Sequence, residues 1–152
     1  MNLPHQIATH FRQLTFGGNW TSINMKDTLA VVNWKQAITQ VQTFNTIAAL
    51  VFHTNYYVGV AIKVLNGEPI NAHDKFSFDF PQISSEEDWK RLLDKTWADA
   101  EIFAKLVEKL PESKLLETFM EEKYGNYYRN LHGVIEHTHY HLGQIVLLKK
   151  LV

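Results

Sequence analysis

Cysteine is absent from this chain of 152 residues. Disulfides, zinc–cysteine centres, iron–sulfur clusters and thiol nucleophiles are therefore excluded as devices of the chain itself. The absence agrees with a cytoplasmic setting, which is the expected localisation. An excess of charge of one sign is also lacking: 15 Lys and Arg face 16 Asp and Glu, for a formal net charge of −1. A nucleic-acid surface needs a dense cationic field to release counterions, so no nucleic-acid partner is expected. The first residues, Met1-Asn2-Leu3-Pro4-His5-Gln6, lack a charged start followed by an apolar run, so no signal peptide is read there. Long apolar runs are scarce. The one candidate, residues 46–65, is interrupted by His53, Asn55 and Lys63 and closed by Asn66-Gly67. A membrane span prefers about 20 uninterrupted apolar residues. This stretch reads instead as a helix buried among other helices, and no membrane partner is expected.

What is present is the composition of a soluble globular domain, 45% apolar and 20% charged. The length suits one domain over residues 1–152, large enough to bury a core without staples. Ile7, Phe11 and Leu14 form the stripe of a first helix over 3–16, stopped by Gly17-Gly18. Residues 19–32 are irregular, with a short helical turn near 26–29, and Asn33 can cap a short helix over 34–40. Asn45 reads as the cap of the second long helix, ended by Gly67 with Pro69 beyond. A long connection over 68–83 follows, with Pro69, Asn71, Asp74 and Pro81. Phe76, Phe78 and Phe80 in it suggest an extended loop packed on the helices, in preference to a strand. Ser84 and Glu87 read as a capping box for a third long helix to about Leu110, with Trp89, Leu92, Leu93, Thr96, Ala100, Phe103 and Leu106 or Val107 as its stripe. Pro111 ends it. A short helix through Leu115, Leu116 and Phe119 comes next, and Gly125-Asn126 breaks the chain before a last long helix over 127–150. Strands and helices do not alternate, and neither repeats nor low-complexity tracts occur. The expected fold is all-α, a helical bundle.

The last helix carries the chemistry. Val134, Thr138, His141, Ile145 and Leu148 recur in steps of three and four with no proline between them. His137 and His141 lie one turn apart on one face and can grip a single metal ion. His139, two residues from His137, projects nearly opposite. Two ligands do not make a site, and His53, set between Leu50-Val51-Phe52 and Tyr56-Tyr57-Val58, is the best third. A titratable ring in so apolar a stretch needs a hydrogen bond or a metal to justify it. Three neutral imidazoles would leave a coordination position for water or substrate, and could lower the pKa of a bound water or thiol. Gln144, one turn beyond His141, can contact a ligand ring or a substrate. His5, His10, His73, His132 and His139 read as surface or structural, Trp20 and the Phe76–Phe80 segment as possible pocket walls. The alternative for all three candidate ligands is that they are core histidines satisfied by hydrogen bonds.

The block His137-x-x-Tyr140-His141-Leu142-Gly143-Gln144-Ile145, after Leu50-Val51-Phe52-His53 on an apolar helix, resembles the DinB/YfiT-like superfamily of metalloenzymes. The resemblance extends to the Trp20 loop, to Asn45-Thr46-Ile47-Ala48 and to Leu65-Asn66-Gly67. It implies a four-helix bundle in an up-down-down-up arrangement and a divalent metal, zinc or nickel, on His53, His137 and His141. It also implies a homodimer. One departure is Thr138, where relatives often carry an acidic residue; Glu136 is adjacent but projects elsewhere. By resemblance the metal would bind and deprotonate a low-molecular-weight thiol for attack on an electrophilic small-molecule substrate, making the protein a thiol-dependent transferase. A metal-dependent hydrolase is the alternative, and a non-catalytic metal- or small-ligand-binding bundle a further one. No general base stands out in the sequence.

Overall fold

The computed structural model describes residues 2–69 and 72–152; Met1, and Ile70 and Asn71 of the long connection, lie outside it. The described residues form six α-helices and three 3-10 turns, with no strand among them. The helices are α1 (Leu3–Phe16), α2 (Met25–Leu29), α3 (Trp34–Ile38), α4 (Ile47–Leu65), α5 (Glu86–Glu108) and α6 (Tyr127–Leu148). The turns are Asp74–Phe78, Glu112–Leu116 and Glu122–Tyr124. The expected all-helical class is therefore observed.

Short polar side chains set most of the helix starts by accepting an otherwise unpaired first-turn N–H. Asn2 caps α1 with Pro4 in its first turn, and Asn126 caps α6 through Arg129 N at 2.9 Å. Asn33 and Gln36 form a reciprocal capping box on α3, as its cap residue suggested. Two expected caps are shifted by one residue. Thr46, not Asn45, caps α4, its Oγ1 accepting from Ala49 N at 3.1 Å. Ser85 with Asp88, not Ser84 with Glu87, starts α5, and the Asp88 carboxylate also accepts from Ser84 N and Oγ. Both errors arise where two neighbouring residues can cap, and only the backbone entry angle selects between them. The short helix expected through Leu115 and Phe119 is instead the 3-10 turn Glu112–Leu116, which leaves Leu116 exposed. An isolated bridge, Thr118 to Asn126, then ties the segment to the start of α6. The Phe76–Phe80 segment is neither a strand nor simply extended: Asp74–Phe78 coils into a 3-10 turn packed on α4.

Each long helix packs on two others: α1 on α5 and α6, and α4 on α5 and α6. The core lies between them. Phe11 of α1 meets Phe103 of α5 edge to face at 4.7 Å, both rings buried. Trp89 is buried with its indole N–H donating to Val32 O at 2.8 Å, which joins α5 to the chain after α2. Arg12 spans to Glu101 and Glu108 and ties α1 to α5 along the outside. The apolar length of α4 would suffice for a membrane crossing, but here Ile47, Ala48, Leu50, Val51, Val58, Ala61 and Val64 are buried against its neighbours. For function, the decisive contact is α4 alongside α6, because it brings the middle of one helix against the middle of the other.

Candidate metal centre

His53 projects from the middle of α4 toward α6 and is 6% exposed. His137 and His141 project from α6 one turn apart, with ring centroids 4.5 Å from each other. The three rings converge through the same atom type. His137 Nε2 lies 3.0 Å from His53 Nε2 and 3.0 Å from His141 Nε2. The potential ligand atoms of all three residues fall within 4.8 Å of one another. The three histidines singled out from spacing are thus brought together.

The hydrogen bonds behind two of the rings favour one tautomer of each. Ser77 Oγ lies 2.6 Å from Asp74 O, a carbonyl that only accepts, so the hydroxyl donates there. It therefore accepts from His53 Nδ1–H at 2.7 Å. Gln144 Oε1 accepts from His141 Nδ1–H at 2.6 Å, while Gln144 Nε2 donates to the Tyr140 hydroxyl at 3.2 Å. With Nδ1 protonated on both residues, both Nε2 atoms present lone pairs. Both face His137 Nε2, which carries at most one proton. At least one of the two close contacts then sets a lone pair against a lone pair. A cation among the three nitrogens removes that conflict. Tetrahedral zinc bonds of roughly 2.0–2.1 Å separate neighbouring nitrogens by about 3.3 Å, so the two 3.0 Å separations at His137 each need only a few tenths of an ångström of relaxation. The donor set therefore fits a metal ion: three imidazoles, backed by a hydroxyl and an amide that fix the ring orientation.

Burial tunes the same rings. Desolvation pushes all three histidines below the ordinary value, His137 to about 4, with the neighbouring rings of His141 and His53 adding to the effect and Asp74 opposing it. All three are neutral at pH 7, the form that ligates a metal.

Three participants, Ser77, Asp74 and Tyr57, were not singled out in the sequence, and Phe78 was read only within a pocket-wall segment. Ser77 is fully buried and orients His53. Asp74 accepts from the Tyr57 hydroxyl at 2.8 Å, and Tyr57, desolvated and next to this carboxylate, is pushed up to about 12. Phe78 stacks on His53 with ring centroids 4.3 Å apart and planes 15° apart. All but Tyr57 come from the turn after α4. The Asp74-x-x-Ser77 spacing, which suits a side chain bonding three residues back, is the only sequence signal that could have marked the turn. The expectation that the phenylalanines pack on the helices holds for Phe78 and for Phe80, which meets Phe52 at 5.5 Å. Trp20, read as a possible pocket wall, is 99% exposed and takes no part. Thr138 is buried and its hydroxyl donates to Val134 O at 2.8 Å, so it supplies packing, not a carboxylate.

The centre opens on a cleft of about 570 Å³ between α4, α6 and the segment before α6. That size suits a small-molecule ligand. Helix positions give the order along it. His53, Tyr57, Asp74 and His137 line one end, Val60, Ala61, Gly133 and Val134 the middle, and Lys123, Tyr124, Arg129 and Asn130 the far end. Two histidines of the candidate centre, a carboxylate and an apolar middle thus share one cleft. Compared with protein-family models, with curated proteins and with solved structures, the chain finds no match.

Proposed function

We propose that this chain is a metal-dependent enzyme of the DinB/YfiT-like type, using zinc or nickel on His53, His137 and His141 to activate a low-molecular-weight thiol toward an electrophilic small molecule. The observation that carries this reading is the convergence of three Nε2 atoms, two with their Nδ1–H groups held from behind, beside one end of a cleft that His53 and His137 line. A metal bound there would supply Lewis acidity, lowering the pKa of a thiol or water in the open position. The protein's own part is to hold the ligands neutral and oriented, through Ser77 and Gln144, and to keep a substrate in an apolar channel beside them. The pairwise packing of the four long helices supports the finer architecture, a four-helix bundle running up-down-down-up, with a long connection between its second and third long helices. A homodimer acting in the cytoplasm completes the proposal.

Metal-assisted hydrolysis is the second reading, favoured by one observation. The Asp74 carboxylate lines the cleft with His137 and is held by the Tyr57 hydroxyl, which suits it to accept a proton from attacking water. One set of measurements separates the readings. Protein purified without a nickel column is assayed for metal, reconstituted, and offered an electrophile with and without a small thiol, then ester and amide substrates. About one metal per chain and thiol-dependent loss of the electrophile are expected. Tight metal without turnover would leave a metal- or ligand-binding bundle. The metal reading is abandoned if reconstitution gives no stoichiometric metal and His53→Ala alters stability alone.

A further inference from the structure

The far end of the cleft is chemically unlike the metal end. Arg129 lies eight residues before His137 on α6, about 12 Å along the helix axis and about 80° round it, and lines the same cleft. Among the described residues Arg129 pairs with no carboxylate. Lys123 joins it on the cleft wall; its ammonium is engaged by Glu121 at 2.9 Å and lies over the Tyr124 ring. The first turn of α6, where Arg129 sits, holds no acidic residue, so the positive helix end adds to the cationic field there. Asp74 stands at the opposite end. Between the two, Gly133 leaves the floor open: a Cβ built there meets nothing within 4 Å.

We propose that Arg129, assisted by Lys123, forms an anion subsite that selects substrates or co-substrates carrying a carboxylate or phosphate about 10–12 Å from the atom that reaches the three histidines. The inference rests on the functional reading above, and adds the shape and charge of the ligand to it. The gradient along the cleft gives direction. A carboxylate is repelled by Asp74 and drawn to the guanidinium, whose planar fork pairs with two oxygens at once. The neutral or metal-seeking end of the same molecule then points toward His137, and the apolar middle takes an alkyl or aromatic spacer.

The test uses the full chain loaded with cobalt(II), whose absorption reports thiolate ligation. It is titrated with an ω-mercapto carboxylic acid, the mercaptoalkyl phosphate and the mercapto alcohol of the same length. One or both anionic thiols are expected to bind at least about tenfold more tightly than the alcohol, with the advantage shrinking as salt is raised. Which anion gains more identifies the end group. Arg129→Met should reduce the advantage to near one while leaving the alcohol's affinity within about twofold. Gly133→Leu should block all three thiols without reducing the bound cobalt. Equal binding of acid, phosphate and alcohol to the wild type, or an advantage that survives Arg129→Met, overturns the subsite.

A second measurement needs no metal. Adding the thiol-free alkyl carboxylate or phosphate to metal-free protein should shift the Arg129 side-chain Nε–H resonance and not those of Arg12 and Arg91. Absence of any such shift overturns the subsite even where cobalt binds. Its presence with no cobalt bound upholds the subsite and sinks the metal reading instead.

Discussion

Helix α6 offers the same side chain two environments. On its inner side His137 and His141 meet His53, with ring nitrogens converging and Gln144 behind. On its other side His132 is half-buried against the Tyr128 ring at 4.4 Å, influenced by His10 and Glu136. Both environments desolvate an imidazole and lower its proton affinity. What separates them is the back of the ring. On the inner side a fixed acceptor takes each Nδ1–H of His53 and His141, which commits each Nε2 lone pair to the centre. The hydrogen bonds found for the described residues give His132 no such acceptor. Desolvation alone makes a neutral histidine; desolvation with an oriented tautomer makes a ligand.

Four measurements would break or sharpen this contrast. The largest effect is expected from His137→Ala, which removes the central nitrogen. Metal content after reconstitution should fall from about one per chain to near none, by elemental analysis of protein never exposed to a nickel column. Retention of stoichiometric metal would show that the inner face is no more a site than the outer one. Ser77→Ala should come next. It frees His53 to adopt the other tautomer, and competition with a chelator should reveal metal affinity weakened by about 10–100-fold.

A smaller effect concerns protons. In metal-free protein His137 should titrate near 4 by NMR, below the ordinary 6.5. Its folded pKa is depressed, so the unfolded chain takes up the proton first. This residue's contribution to stability is intact above about pH 6.5 and is lost as the pH falls from there toward 4, where it levels off. Thermal melts of the metal-free protein across that window should show the decline, and His137→Ala should flatten part of it. The smallest effects belong to the outer face. His132→Ala and His139→Ala should leave metal content unchanged and alter stability by less than about 1 kcal/mol.

The helical rods were legible because they rest on local rules. Apolar spacing marked three of the long helices and a nearly continuous apolar stretch the fourth, and Asn33 was legible as the cap it is. The pair His137 and His141 was legible for the same reason, since an i, i+4 spacing fixes a shared face. His53 was legible as an anomaly, a titratable ring in an apolar helix. Ser77 and Asp74 were not. Their turn carries phenylalanines and polar residues with no period to read, and its 3-10 coil forms against α4. Arg129 and Gly133 were equally silent, an ordinary surface cation and a helical glycine until the cleft gave them a position.

The sequence by itself determined an all-helical chain with no thiol of its own and a helix face bearing two histidines, because backbone periodicity and residue chemistry act over a few residues. Only the tertiary structure decided that a ring 84 residues away meets that face. It alone decided which tautomers the rings hold, and that a channel with a carboxylate at one end and a guanidinium at the other runs beside them. Those outcomes depend on how far one helix slides and turns against its neighbours, which the packing of the whole core sets and no short stretch encodes.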